Sequence, residues 1–267
     1  MPLSVPCGQC IGCRLSRSRQ WAIRCLHEAS LWDTSCFITL TYRDDTLPPF
    51  GSLRKSDFQL FMKRLRARVG VRVRFFHCGE YGAVTKRPHY HALLFGYDFS
   101  DKRPWRVRRG LQCWRSSLLE ELWPYGQSEI GSVSFESAAY VARYVVDKVT
   151  GERSDAHYRR LDVSTGELVR IAPEYCTMSR RPGIGREWFD KFGAEVYPAD
   201  GVVVRGHLQK PPRYYDVAYE LGDAAGFRRV RLKRKALAVG ADSTPERLDV
   251  RAQCALAKLT FHRKEEV

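Results

Sequence analysis

The stretch Arg87-Pro88-His89-Tyr90-His91-Ala92-Leu93-Leu94-Phe95-Gly96 constrains this chain more than any other. It opens after a proline, runs into an apolar end and stops at a glycine. That is the pattern of a strand, so His89 and His91 project from one face. Imidazole is a common ligand for transition metals, and a strand fixes such a pair more firmly than a loop would, so the two rings can hold a divalent ion. The plainer reading is a half-exposed strand that happens to carry two histidines, and the stretch alone does not choose between them.

The rest of the chain narrows the choice. With 267 residues and 44% hydrophobic content there is room for one large domain, or one domain and a substantial appendage, around a real core. Forty-five Lys and Arg against 30 Asp and Glu leave a formal charge of +15, which favours a polyanionic partner, nucleic acid ahead of an anionic membrane. No apolar run approaches the ~20 residues needed to span a bilayer. Met1 to Cys7 lacks a basic segment followed by an apolar one, so a cytoplasmic setting is expected. Nine cysteines without a secretory signal suit thiols or metal ligands better than a disulfide framework. Cys7-x-x-Cys10-x-x-Cys13 has the spacing of thiolate ligands, yet a tetrahedral zinc site needs a fourth donor and no second C-x-x-C follows. A zinc site completed by a distant residue and three small residues at the mouth of a helix both fit.

In chain order, Leu15 to Trp32 has helical spacing, with Arg14, Arg17, Arg19 and Arg24 on a basic face that could track phosphates or simply meet solvent. Cys36 to Tyr42 alternates as a strand, with Phe37, Thr39 and Thr41 on one face and Cys36, Ile38, Leu40 and Tyr42 on the other. Ser56-x-x-Gln59 reads as a capping box opening a helix whose apolar residues are Phe58, Phe61, Met62, Leu65 and Val69, with Gly70 as its stop. Val71 to Glu80 reads as a second strand, joined to the histidine strand by a Gly82-containing loop as an antiparallel hairpin. Glu80 would then stand near His89, close enough to complete a site begun by two imidazoles, although the register is open.

Between Lys102 and Arg115 the arginines Arg106, Arg108 and Arg109 interleave with Trp105 and Trp114, a mixture that suits single-stranded nucleic acid and also occurs in loops covering a core. Ser117-x-x-Glu120 predicts a short helix, and Ile130 to Phe135 a brief strand. From Glu136 to Lys148, Ala138, Val141, Ala142, Val145 and Val149 make an apolar helical stripe. Tyr140 and Tyr144 fall roughly 200° and 240° around the wheel from Ala138, off that stripe, and Lys148 continues their row. A phenol, with a pKa near ~10, attacks poorly unless its target is polarised, which a bound divalent ion can do. A nearby ammonium such as Lys148 can stabilise the phenolate or the leaving oxygen.

These stretches carry a resemblance. Phe37 to Tyr42, Pro88 to His91 and Tyr140 to Tyr144 resemble the three ordered motifs of the HUH endonucleases, the rolling-circle replication initiators. Cys7 to Arg14, Ser18 to Arg24, Phe75 to Gly82 and Ser179 to Gly185 are similar in wording to the replication initiation proteins of gokushovirus-type microviruses. The resemblance implies an α+β fold, a central antiparallel β-sheet flanked by helices in the ferredoxin- or RRM-like manner, with a further helical C-terminal region. It implies a metal pair at His89 and His91 with Glu80 as third ligand, paired nucleophiles at Tyr140 and Tyr144, and Lys148 as the helix lysine. The implied chemistry is Mg²⁺- or Mn²⁺-dependent nicking of single-stranded DNA at the origin of a circular phage genome, through a 5′-phosphotyrosine, followed by strand transfer and joining. The implied setting is the cytoplasm of a bacterial host. No G-x-x-x-x-G-K-[ST] loop occurs in the sequence, so unwinding is expected of a host helicase and extension of a host polymerase.

The expected organisation is a nicking and joining core over 1–151, with the cysteine-rich helix, and a basic extension over 152–267 packed on it or continuing it. Glu152 to Arg170 reads as a charged excursion. Ser179 to Arg186, with Arg180 and Arg181, reads either as a phosphate-holding loop or as a simple turn. Phe227 to Ala236, with Arg228, Arg229, Lys233 and Arg234, is the densest positive run and is expected to meet DNA backbone. Thr244 to Glu265 reads as a terminal helix. A reading from a different class, a non-catalytic nucleic-acid-binding module clipped by a cysteine-held zinc, uses the same basic surface without needing Mg²⁺ or Mn²⁺.

Overall fold

The computed structural model describes residues 6–264 other than 83, 109, 148, 150 and 238–243. The contacts group Ala22–Trp188 into one compact unit, and the chain on either side of it, up to Trp21 and from Phe189, into a second.

The first unit is built on a seven-stranded antiparallel sheet. Its strands are β1 (Ser35–Thr41), β2 (Arg74–Tyr81), β3 (Pro88–Phe95), β4 (Arg103–Arg108), β5 (Leu111–Arg115), β6 (Ser128–Ser132) and a later strand, Tyr175–Met178. Their order across the sheet is β4, β5, β6, β1, β3, β2 and then Tyr175–Met178. The fold is therefore α+β with flanking helices, as the resemblance implied. The chain beyond residue 151 supplies an edge strand of this same sheet.

Strand alternation decides what each face carries. Burial along β1 alternates strictly, with Cys36, Ile38 and Leu40 inward. With Tyr90, Ala92 and Leu94 of β3 they meet Phe58, Phe61, Met62 and Leu65 of helix α2 (Lys55–Val69), and Leu119 and Leu122 of helix α3 (Ser117–Leu122). Each fully buried side chain of this kind contributes about 1.5–3 kcal/mol. The opposite face carries Thr39, Thr41, His89, His91, Glu80 and Cys78, and helix α4 (Phe135–Asp147) packs against β2 and β3.

Local details depart from the sequence reading. The first helix, Ile11–Ala29, starts four residues earlier than expected, so Cys13 lies within its first turn. The expected capping box at Ser56 does not form: α2 is preceded by Arg54 without a side-chain cap, and the Asp57 carboxylate instead accepts the Tyr42 hydroxyl at 2.6 Å. Helix α3 is capped one residue earlier than expected, by Ser116, whose hydroxyl accepts from Leu119 N. Phe135 opens α4 instead of ending a strand. The stretch around Arg106 is a hairpin at the sheet edge, with all of β4 exposed. The excursion from 152 to 170 contains a short helix, Arg153–His157, and a hairpin pairing Arg159–Leu161 with Leu168–Arg170.

Of the two readings of the turn from Ser179 to Arg186, the backbone suits the simple turn at three places. Gly185 N donates to Glu28 Oε2 at 2.7 Å, Pro182 O accepts from Arg74 and Ile184 O accepts from Arg24, so these groups are tied to the unit's own core. Arg74 Nε lies 2.5 Å from Glu28 Oε1, and both side chains are almost fully buried. Removing one partner strands a charge in a low-dielectric setting. Arg74→Met is expected to destabilise the protein by about 3–5 kcal/mol, read as a lower urea midpoint, whereas the pair change Glu28→Leu with Arg74→Met should recover much of that loss.

The second unit contains Arg186–Ala199 from Phe189 onward, a hairpin of Val202–Val204 with His207–Gln209, and helices Arg213–Gly222, Ala224–Ala236 and Pro245–Lys264.

Candidate functional site

Register brings the predicted metal ligands together. Glu80 pairs directly with His89 across β2 and β3, while His91 pairs with Thr39 of β1. Antiparallel partners share a face, so a carboxylate and two imidazoles converge where neither strand could assemble them alone. Their ligand atoms lie within 4.8 Å of one another.

The hydrogen bonding fits a cation between them. His89 Nδ1 lies 3.0 Å from Arg87 O, and a carbonyl only accepts, so Nδ1 carries the proton and the Nε2 lone pair faces Glu80 Oε1 at 3.0 Å. Two acceptors at that distance need a positive charge, a proton or a metal, between them. His91 Nδ1 meets Thr39 Oγ1 at 2.9 Å. Its Nε2 lies 3.1 Å from the same Glu80 oxygen but off the line of a hydrogen bond, which leaves a buried nitrogen without a hydrogen-bond partner. A ring oriented from behind with a bare, buried nitrogen in front suits a metal ligand. Side-chain exposure of 7% to 16% across the three residues keeps bulk water from screening them.

Electrostatics follow from this packing. Burial pushes the Glu80 carboxyl up, but the His89 and His91 rings beside it outweigh that and hold it well below the usual carboxylate range. Burial also acts against a charged His89, yet Glu80 and the Arg87 carbonyl prevail and raise its pKa. At His91 burial dominates and the pKa is lowered. One imidazole takes a proton readily and its neighbour resists it.

Helix α4 delivers Tyr140 to this cluster. Its hydroxyl donates to Glu80 Oε1 at 3.3 Å and its ring stands edge-on to His91, with centroids 4.8 Å apart. Ala138, Val141 and Ala142, all fully buried, seat the helix. Phe37 stacks on His91 at 5.6 Å and flanks Tyr140 at 6.4 Å. Tyr144 lies one turn further along α4, and its side chain, like Lys148 and Arg109, lies outside the described residues. The contacts of Thr39 and Phe37 with His91 were missed in the sequence. Their shared face was visible there, but the register that pairs it with His91 was not.

Around the site, Arg106 and Arg108 alternate on β4 and stand on the histidine face, with Arg106 paired to Glu129 at 2.5 Å. Arg180 and Arg181 are exposed. In the second unit, Arg17, Arg228, Arg229 and Lys233 are exposed, but two expected DNA contacts are committed internally. Arg19 donates to Gln209 Oε1 and Lys210 O, and the Arg234 fork is filled by Asp200 and Asp216. Cys7, Cys10 and Cys13 gather at the start of the first helix. Backbone amides of Cys10 and Gln9 lower the Cys7 pKa to about 7.

Residues 35–149, which hold Thr39, Glu80, both histidines and Tyr140, match the family model for replication-associated protein ORF2/G2P. The chain is 34% identical over 248 residues to replication-associated protein VP4 of Bdellovibrio phage phiMH2K, spanning 87% of this chain and 74% of that protein. It is 31% identical over 228 residues to replication-associated protein ORF2 of Spiroplasma virus 4, with 80% and 67% spanned. Replication-associated protein ORF4 of Chlamydia phage 1 is 28% identical over 221 residues, with 79% and 52% spanned. No solved structure matches the chain. No helix among the described residues is long and apolar enough to cross a membrane. With a relative of this identity matched over most of both chains, and the clustered site inside the segment the family model covers, the chain belongs to the phage replication-associated proteins of the ORF2/G2P family.

Proposed function

We propose that this protein initiates rolling-circle replication of a circular phage genome by nicking one DNA strand with Tyr140 and later rejoining it. The observation that carries this reading is the Tyr140 hydroxyl resting 3.3 Å from Glu80, beside two histidines whose Nε2 atoms converge on the same carboxylate oxygen. Glu80, His89 and His91 would hold Mg²⁺ or Mn²⁺, which when bound supplies Lewis-acid polarisation of the scissile phosphate.

The chain's own residues supply the rest. The Tyr140 oxygen attacks phosphorus, the P–O3′ bond breaks, the phenolic proton passes to solvent, and the departing 3′ oxygen takes up a proton. This leaves a 5′-phosphotyrosine and a 3′-hydroxyl for a host polymerase, with unwinding left to a host helicase. Glu80, which also meets His89 Nε2, accepts from the Tyr140 hydroxyl and so positions the phenol. Tyr144, one turn on along α4, is the second nucleophile for strand transfer, and Lys148, four residues later in the sequence, would stabilise oxyanions. Arg106 and Arg108, on the histidine face, draw the strand across the site.

The test incubates the protein with circular single-stranded DNA carrying the candidate origin, with Mn²⁺ or with chelator, and seeks a denaturant-resistant adduct by mass spectrometry. An Mn²⁺-dependent adduct on Tyr140 or Tyr144 is expected. Tight binding with neither nick nor adduct under both conditions would replace this reading with that of a binding module. Thr39→Val is expected to weaken Mn²⁺ binding about 10–100-fold, because it frees the His91 ring to turn; calorimetric titration measures it.

A further inference from the structure

We propose that Cys7, Cys10 and Cys13 bind a single zinc ion through three thiolates, at a site built from residues other than Glu80, His89 and His91. The Cys7 and Cys13 sulfurs lie 3.9 Å apart, and the three sulfurs lie within 4.8 Å of one another. A tetrahedral ion with Zn–S bonds of about 2.3 Å sets sulfur–sulfur edges of about 3.8 Å, so the spacing suits one ion. It is far wider than the roughly 2.05 Å of a disulfide, and all three thiols are free.

The backbone is folded for the same purpose. Gly8 has φ +74°, in the left-handed region, which turns the chain back on itself so that Cys10 N donates to the Cys7 sulfur at 3.2 Å. Such a bond favours the thiolate, the form that binds metal. Cys13 comes from the first turn of the helix Ile11–Ala29, whose Arg14 N donates to Cys10 O at 3.0 Å. Turn and helix therefore fix the three sulfurs relative to one another. Among the described residues no fourth ligand atom joins the group. Cys7 and Cys10 are exposed, so water can fill the remaining corner.

The test uses the full chain, purified in a non-chelating reductant, loaded with Zn²⁺, desalted and analysed for metal by mass spectrometry. With the histidine cluster disabled by His91→Ala, about one tightly held zinc per chain is expected, and the same when Cys254→Ser, a control at an exposed thiol, is added to it. His91→Ala with Cys10→Ser is expected to hold at least about five-fold less. Because a variant can misfold, the wild type and His91→Ala are also loaded with Co²⁺, and a thiolate-to-cobalt charge-transfer band is expected in both. Undiminished zinc when Cys10→Ser is added to His91→Ala, no tightly held zinc in His91→Ala, absence of the cobalt–thiolate band, or bound iron with an iron–sulfur spectrum would each overturn the proposal.

Discussion

Tyr140→Phe is expected to lower origin nicking at least about 10³-fold while changing DNA affinity by no more than about two-fold. The change removes one oxygen. Its hydrogen bond to Glu80 is lost, but the ring keeps its edge-on seat against His91 and its place beside Phe37, and α4 stays anchored by Ala138, Val141 and Ala142. A large effect would therefore be chemical and not structural. The readouts are the covalent adduct on a denaturing gel, with the modified residue named by mass spectrometry, and affinity by fluorescence anisotropy. If the adduct persisted at the wild-type rate on Tyr144, the first-strand role of Tyr140 would be wrong and the order of the two tyrosines reversed. Nicking by Tyr140→Phe and Tyr144→Phe together would remove tyrosine chemistry at these positions altogether.

His91→Ala is expected to reduce metal-dependent nicking by about 10³-fold, the several kcal/mol that a Lewis acid contributes to a phosphoryl transition state. The same site predicts a pH dependence. Metal and proton compete for His89 Nε2, and because the His89 pKa is raised, Mn²⁺ affinity should fall as pH drops through that raised value. In chelator the linkage runs through stability instead. The His89 contribution is present below its unfolded value of 6.5 and is lost as pH rises through the raised folded pKa. The Glu80 contribution is present above its unfolded value of 4.5 and is lost as pH falls through the depressed folded pKa. The Tm difference between wild type and Glu80→Gln in chelator should accordingly be greatest between about pH 4.5 and 6.5. A difference that stayed flat from pH 4 to 9 would mean that the carboxylate does not pair with His89 in solution.

Local pattern carried much of this site. The alternation of β1, the shared face of His89 and His91, and the helix bearing Tyr140 and Tyr144 all follow from periods of two and 3.6, which are properties of the backbone and need no partner. Where the reading fell short, long-range partners decided. Asp57, in the first turn of α2, is claimed by Tyr42 just after β1, while Ser56 lies inside the helix, where it cannot cap it. The amide of Gly185, aligned for an anion in the sequence, is taken by Glu28 from a helix 157 positions away. Arg234 looked like one more cation in a basic run, but two carboxylates 34 and 18 positions upstream hold it.

The sequence by itself determined β1, the histidine strand, the helix carrying the two tyrosines and the family, but not the edge strands Arg103–Arg108, Leu111–Arg115 and Tyr175–Met178, whose pairing comes from distant partners. Only the tertiary structure decided that Glu80 faces His89 and that Thr39 backs His91, because a shift of one residue in register would have sent the carboxylate to the other side of the sheet. Only packing decided which arginines remain open to DNA, since a guanidinium in a run of cations has no means of signalling, within that run, that acids elsewhere in the chain will fold onto it.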